Sequence, residues 1–127
     1  MTGNGKRILV AEDSPTQAER LRLLLTGHGY RVVVAADGRQ GLDLTRASPP
    51  DLIISDIVMP RLSGFELFKR VKASPTTATI PFLFITGFQD DRVLAEARKV
   101  GVFGILRKPV DIEQIENRLR ELTRSKE

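Results

Sequence analysis

Along the chain, short apolar runs rich in Val and Ile alternate with longer segments whose apolar residues recur at helical spacing. Five repeats of that alternation predict βα units and a parallel sheet, an α/β fold with helices on both faces. The strands are expected at Arg7 to Ala11, Arg31 to Ala35, Leu52 to Ser55, Phe82 to Thr86 and Gly104 to Arg107. Each is nearly continuously apolar, as strands covered on both sides are.

The first helix is marked by Ala18, Leu21, Leu24 and Leu25, with Ser14 as N-cap and Pro15 in the first turn, and Gly27 and Gly29 end it. His28 between them reads as a turn residue on the rim opposite the strand ends. The second helix runs from about Gly38 to Ala47, where Pro49-Pro50 prevents its continuation. The third starts near Ser63, where Ser63-Gly64-Phe65-Glu66 matches a capping box, and buries Phe65, Leu67, Phe68 and Val71 before a Pro75 loop. An Arg-rich fourth helix is expected over about Asp90 to Val100. A fifth, about Ile112 to Arg124, carries Ile112, Ile115 and Leu119 on one side.

With 127 residues and 41% hydrophobic content, one core is affordable and a second unit of ordinary size is not, so residues 1–127 are expected to form a single domain, ordered over about 6–124. No apolar run approaches the roughly 20 residues that span a bilayer, and Met1 to Lys6 lacks a secretory signal. The expectation is a cytoplasmic protein with no membrane partner. The absence of cysteine excludes disulfides, thiolate metal sites and cysteine nucleophiles. A net charge of +4 is dispersed rather than clustered, and the basic stretch from Arg118 to Lys126 is interrupted by Glu121, so no direct nucleic-acid binding is expected.

In an open parallel sheet the ligand site lies beyond the carboxyl ends of the strands. The first strand ends in Glu12-Asp13, the third in Asp56, the fourth in Thr86 and the fifth in Lys108-Pro109. Three carboxylates, a hydroxyl and an ammonium therefore converge on one rim. Packed carboxylates repel unless a cation neutralises them, and an all-oxygen set favours magnesium, with manganese as the other candidate. Lys108 and Thr86 suit the oxygens of a transferring phosphoryl group, and Asp56 at the centre is the candidate nucleophile, giving an aspartyl phosphate.

Ile8-Leu9-Val10-Ala11-Glu12-Asp13-Ser14, Ser55-Asp56-Ile57-Val58-Met59-Pro60, Ile85-Thr86-Gly87 and Lys108-Pro109 together resemble the response regulator receiver domain of two-component signal transduction. The resemblance covers roughly Lys6 to Leu122. It implies a flavodoxin-like (βα)5 fold, a doubly wound five-stranded sheet of order 2-1-3-4-5. It also implies that Asp56 accepts a phosphoryl group in a phosphorelay, from a histidine kinase or a histidine phosphotransfer protein, and passes the signal to an output domain or downstream protein. By the same resemblance Asp13 ligates magnesium, Glu12 does so directly or through water, and the backbone carbonyl of Val58 is the third protein ligand. Thr86 and Lys108 contact phosphoryl oxygens, and Pro109 follows a cis peptide. Such receivers promote their own phosphotransfer and autodephosphorylation and are not classed as enzymes.

The chain departs from the family at Ile105, where an aromatic three residues before the lysine usually reports phosphorylation to the outer surface. Phe103 shares a strand face with Ile105 if the strand begins that early. Phe88, two residues after Thr86, is placed to limit water access to the phosphoryl group. Phe88, Phe103, Ile105 and Pro109 form the expected switch and partner surface, and the face of the fourth helix, fifth strand and fifth helix offers a homodimer contact. Phe82 and Phe84 read as core.

Each site residue has an ordinary alternative. Glu12 and Asp13 complement a helix dipole, Asp56 is a loop residue, Lys108 is a solvated lysine and Thr86 a strand-end hydroxyl. Their convergence favours a site. The rival functions are a receiver-like interaction module that signals without phosphorylation, and an Asp-nucleophile phosphatase of the haloacid-dehalogenase type. The second requires Asp-x-Asp, whereas Asp56-Ile57-Val58 lacks the second carboxylate.

Overall fold

The computed structural model describes residues 5–87, 91–102 and 104–126. Strands β1 (Arg7–Ala11), β2 (Arg31–Ala35), β3 (Leu52–Asp56), β4 (Phe82–Thr86) and β5 (Gly104–Arg107) alternate with helices α1 (Pro15–Thr26), α2 (Gly38–Ala47), α3 (Gly64–Ala73), α4 (Asp91–Lys99) and α5 (Ile112–Lys126). All pairings are parallel and the order is β2-β1-β3-β4-β5, the expected flavodoxin-like arrangement. The third strand runs one residue beyond the expected Ser55, so Asp56 itself sits in the ladder opposite Ile85. The fourth helix stops at Lys99 rather than Val100, and the fifth runs on past Arg124 to Lys126. Asp90, its expected start, lies outside the described residues.

Side chains of the central strands alternate between two apolar layers, as the pleat requires. Leu9, Ile53, Phe82 and Phe84 join Leu42 of α2, Leu67, Phe68 and Val71 of α3 and Ala97 of α4 on one side. Ile8, Val10, Ile54, Leu83 and Ile85 join Leu21 and Leu25 of α1 and Ile115 of α5 on the other. This two-sided burial fixes the strand ends relative to one another. Edge-to-face contacts of Phe68 with Phe82 and of Phe65 with Phe84, at centroid separations of 5.2 and 5.3 Å, key α3 against β4.

Helix starts are set by side chains that take up free N–H groups. Ser14 Oγ accepts from Gln17 N as expected. At α3 only the serine half of the expected capping box forms: Ser63 Oγ accepts from Glu66 N at 3.2 Å, while the Glu66 carboxylate turns to Lys69 and Arg70. A complete reciprocal box occurs instead at Asp111 with Gln114, whereas at Asp37, whose Oδ1 accepts from Gln40 N, the Gln40 side chain takes the N–H of Ala36 one residue before the cap. At the end of α1, Gly27 stays helical at φ −63° and Gly29 takes the left-handed turn at φ 91°. His28 is in that turn, its N–H donating to the Leu25 carbonyl.

Candidate functional site

Glu12 follows β1, and its N–H still donates to Ala35 O, so the carboxylate is held at the sheet's carboxyl rim. Asp13 comes next and is exposed, whereas Glu12 is buried. Asp56 is the last residue of β3 and only 7% exposed. The three bring one carboxylate oxygen each within 4.8 Å of the others. Lys108 reaches the same point from the end of β5, its backbone N–H donating to Thr86 O. Its Nζ lies 2.5 Å from Glu12 Oε1 and 3.0 Å from Asp56 Oδ2.

The remaining carboxylate oxygens are held by backbone. Asp56 Oδ1 accepts from Ile57 N at 2.7 Å, and Glu12 Oε2 accepts from Ser14 N at 3.1 Å. Glu12 thus also serves the ordinary role weighed for it, stabilising the start of α1, without leaving the cluster. Burial pushes the Glu12 carboxyl above the usual carboxylate range; Lys108 and the Ser14 N–H pull it down, and the Asp56 charge adds to the rise. Burial acts to lower the Lys108 ammonium, but hydrogen bonds to Glu12 and Asp56 and their charges outweigh it and raise the group. One ammonium against three carboxylates leaves the cluster short of positive charge, and every donor atom is a hard oxygen. That suits a small divalent cation.

Thr86 ends β4, fully buried on the same rim between the strands that supply Asp56 and Lys108. Val58 is two residues beyond Asp56, with its side chain exposed. The Lys108–Pro109 peptide is cis, in line with the resemblance. Ile105 is half-buried and packs against the Phe82 and Phe84 layer, so it is core margin as well as surface. Phe88 and Phe103 lie outside the described residues.

Two features escaped sequence reading. Gly64 starts α3 directly against the site: its N–H donates to Ile57 O, and a Cβ there would stand 2.2 Å from Asp56 O. Arg20 of α1 donates to Val110 O at 3.0 Å, fixing the segment after Pro109. Arg20, Gln17 and Pro109 line a cavity of about 290 Å³ that opens beside Glu12 and Lys108. The Ser63-Gly64 pair carried a signal for a helix start, but none for a close approach to Asp56.

The response regulator receiver domain profile matches residues 8–120. The chain is 35% identical over 109 residues to Protein PilH of Pseudomonas aeruginosa, covering 86% of this chain and 90% of that protein. Among solved structures, the receiver domain of a signal transduction histidine kinase from Syntrophus aciditrophicus superposes with a TM-score of 0.85 at 34% identity, over 94% of this chain and 91% of that one. The receiver domain of the sensor histidine kinase PA1611 from Pseudomonas aeruginosa, solved with magnesium coordinated in its active-site cleft, gives a TM-score of 0.82 at 27% identity, over 92% and 96% of the two chains.

Proposed function

Because the chain belongs to the response regulator receiver family, we propose that it takes a phosphoryl group onto Asp56 and relays the signal by conformational change. The observation that carries this is the meeting of Asp56 with Lys108 inside the Glu12, Asp13 and Asp56 cluster. Glu12, Asp13 and Asp56, with the Val58 carbonyl, would hold magnesium, or manganese in its place. When bound, the ion supplies positive charge to the cluster and to phosphoryl oxygens. An Asp56 oxygen forms its bond to phosphorus as the bond from phosphorus to the donor's imidazole nitrogen breaks. Lys108 and the Thr86 hydroxyl take up the charge on the phosphoryl oxygens.

Receiver domains interact with histidine kinases. For this chain the donor is a histidine kinase or a histidine phosphotransfer protein, and the recipient of the signal is an output domain or a downstream protein. With Ile105 in place of an aromatic, the signal leaves the site by a route that does not swing a ring at that position. Homodimerisation through α4, β5 and α5 is the competing use of that face.

Incubation with magnesium chloride and acetyl phosphate, followed by intact-protein and peptide mass spectrometry, tests the reading. One phosphoryl group is expected on the peptide containing Asp56, and none on Asp56→Asn. An unmodified protein after acetyl phosphate and after partner kinases would leave the interaction module that works without phosphorylation.

A further inference from the structure

Lys108 stands one residue beyond β5, and β5 is an edge of the sheet: it is four residues long and pairs with β4 alone. Its carboxyl end is therefore held by backbone on one side only, through the Lys108 N–H to Thr86 O. A cavity of about 290 Å³ lies against Glu12, Lys108 and Pro109, so close packing does not fix the lysine there. The ammonium nevertheless has to meet Asp56 across β4. A side chain of α1 supplies the missing restraint.

Arg20 Nη1 donates to Val110 O at 3.0 Å, joining residues 90 apart in sequence. Among the described residues this is the guanidinium's one hydrogen bond, and it makes no ion pair. It is also, among the described residues, the one hydrogen bond that ties Pro109-Val110 to another element. A ring of contacts closes through it. The Lys108 ammonium pairs with Glu12, whose second carboxylate oxygen accepts from Ser14 N at the start of α1, and α1 returns through Arg20 to Val110, two residues from Lys108. Val110 and Leu21, the neighbour of Arg20, are buried in the same apolar layer, so the donor is offered from a fixed base. A charged donor on a carbonyl oxygen makes a strong and directional bond.

We propose that Arg20 is a positioning residue for phosphoryl transfer: by holding the Val110 carbonyl it fixes the segment after β5 and keeps the Lys108 ammonium against Asp56. Arg20 acts through Lys108 and does not itself touch the phosphoryl group. The inference rests on the reading of Asp56 as the phosphoacceptor.

The test incubates the full chain and its variants with magnesium chloride and acetyl phosphate and follows the phosphorylated fraction by intact-protein mass spectrometry. Arg20→Gln, at an exposed position, should slow transfer on the order of tenfold, because a displaced lysine still supplies its charge but no longer its geometry. Arg20→Lys, which keeps a charged donor, should recover most of the rate. Arg22→Gln, which removes a charge from the same helix where it pairs with Glu19, should leave the rate unchanged. In a Lys108→Met background Arg20→Gln should have no further effect. The rise in melting temperature on adding magnesium should be the same in Arg20→Gln and in the wild type, since the metal set does not include Lys108. Wild-type speed in Arg20→Gln, equal slowing by Arg20→Lys or by Arg22→Gln, or a lost magnesium response would each overturn the proposal. So would a comparable further loss on top of Lys108→Met, which would make Arg20 a group that acts on the donor directly. A wild type that takes no phosphoryl group would overturn the phosphoacceptor reading itself, and this proposal with it.

Discussion

Lys108, one residue beyond the edge strand β5, holds Asp56 across an intervening strand: its Nζ stands 3.0 Å from Asp56 Oδ2 although β4 separates their parent strands. The same ammonium faces the buried Glu12. Lys108→Met should therefore act twice. Loss of the group that faces the phosphoryl oxygens should slow transfer from acetyl phosphate by roughly 10²-fold. Leaving Glu12 without its cation should cost about 1–3 kcal/mol at neutral pH, less than a fully buried pair would because Lys108 is partly exposed. Mass-spectrometric time courses and urea denaturation measure the two effects. An unchanged transfer rate would remove Lys108 from the proposed role.

Three carboxylates at one point should make the chain respond to magnesium before any phosphoryl donor is added. At free magnesium about 100 times its dissociation constant, binding to the folded state alone adds about 2.7 kcal/mol. Asp13→Asn should show the reverse pattern, gaining about 0.5–1 kcal/mol without the ion, a small figure because Asp13 is exposed, and losing most of the magnesium effect. Thermal melts with magnesium chloride or with EDTA give both numbers. A wild type indifferent to magnesium would refute the metal assignment.

The strands were legible because residues covered on both faces leave runs such as Leu52-Ile53-Ile54 and Phe82-Leu83-Phe84-Ile85 that no exposed segment would carry. The site was legible for a topological reason: in a parallel sheet every strand delivers its last residue to the same rim, so Glu12, Asp56, Thr86 and Lys108 could be grouped without coordinates. Contacts that depend on the path between elements were not. Gly64, whose position against Asp56 O follows from how α3 meets β3, and Arg20, which reaches Val110 O from the other end of the chain, left no mark in the sequence. Helix ends failed where two devices competed, as at Glu66, which pairs with Lys69 and Arg70 rather than closing its box.

Tyr30, the only tyrosine in a chain without tryptophan, gives a clean optical probe of alkaline stability. Burial first, and the Glu116 charge second, raise its phenol above the ordinary value of 10.0, with Arg120 opposing. The unfolded chain then loses this proton at lower pH than the folded one, so the stability it contributes is complete below about pH 10 and declines as pH rises through the folded value. Lys108, also raised, acts in the same direction, whereas Lys72, lowered by burial, acts against it. Urea midpoints should fall above pH 10, and less steeply in Tyr30→Phe. Phenolate absorbance rising at the pH of free tyrosine would contradict this.

The last prediction separates two glycines near the site by the space around them. At Gly64 an added methyl would stand 2.2 Å from Asp56 O and 2.9 Å from Ile57 Cα, both backbone atoms in or beside β3 that cannot yield without moving Asp56. Gly64→Ala should cost about 1–3 kcal/mol, the range for forced overpacking. It should also slow phosphorylation, because the displaced backbone carries the acceptor and, two residues on, the Val58 carbonyl. At Gly87, directly after Thr86, the nearest atom to an added methyl is Lys108 Cδ at 4.0 Å, an ordinary contact with a flexible chain. Gly87→Ala should stay within about 0.5 kcal/mol of wild type and keep its rate. Urea denaturation and acetyl phosphate time courses on both variants decide the matter. Comparable losses in the two would mean that conformational freedom, not the close approach of α3 to Asp56, is what the glycines supply.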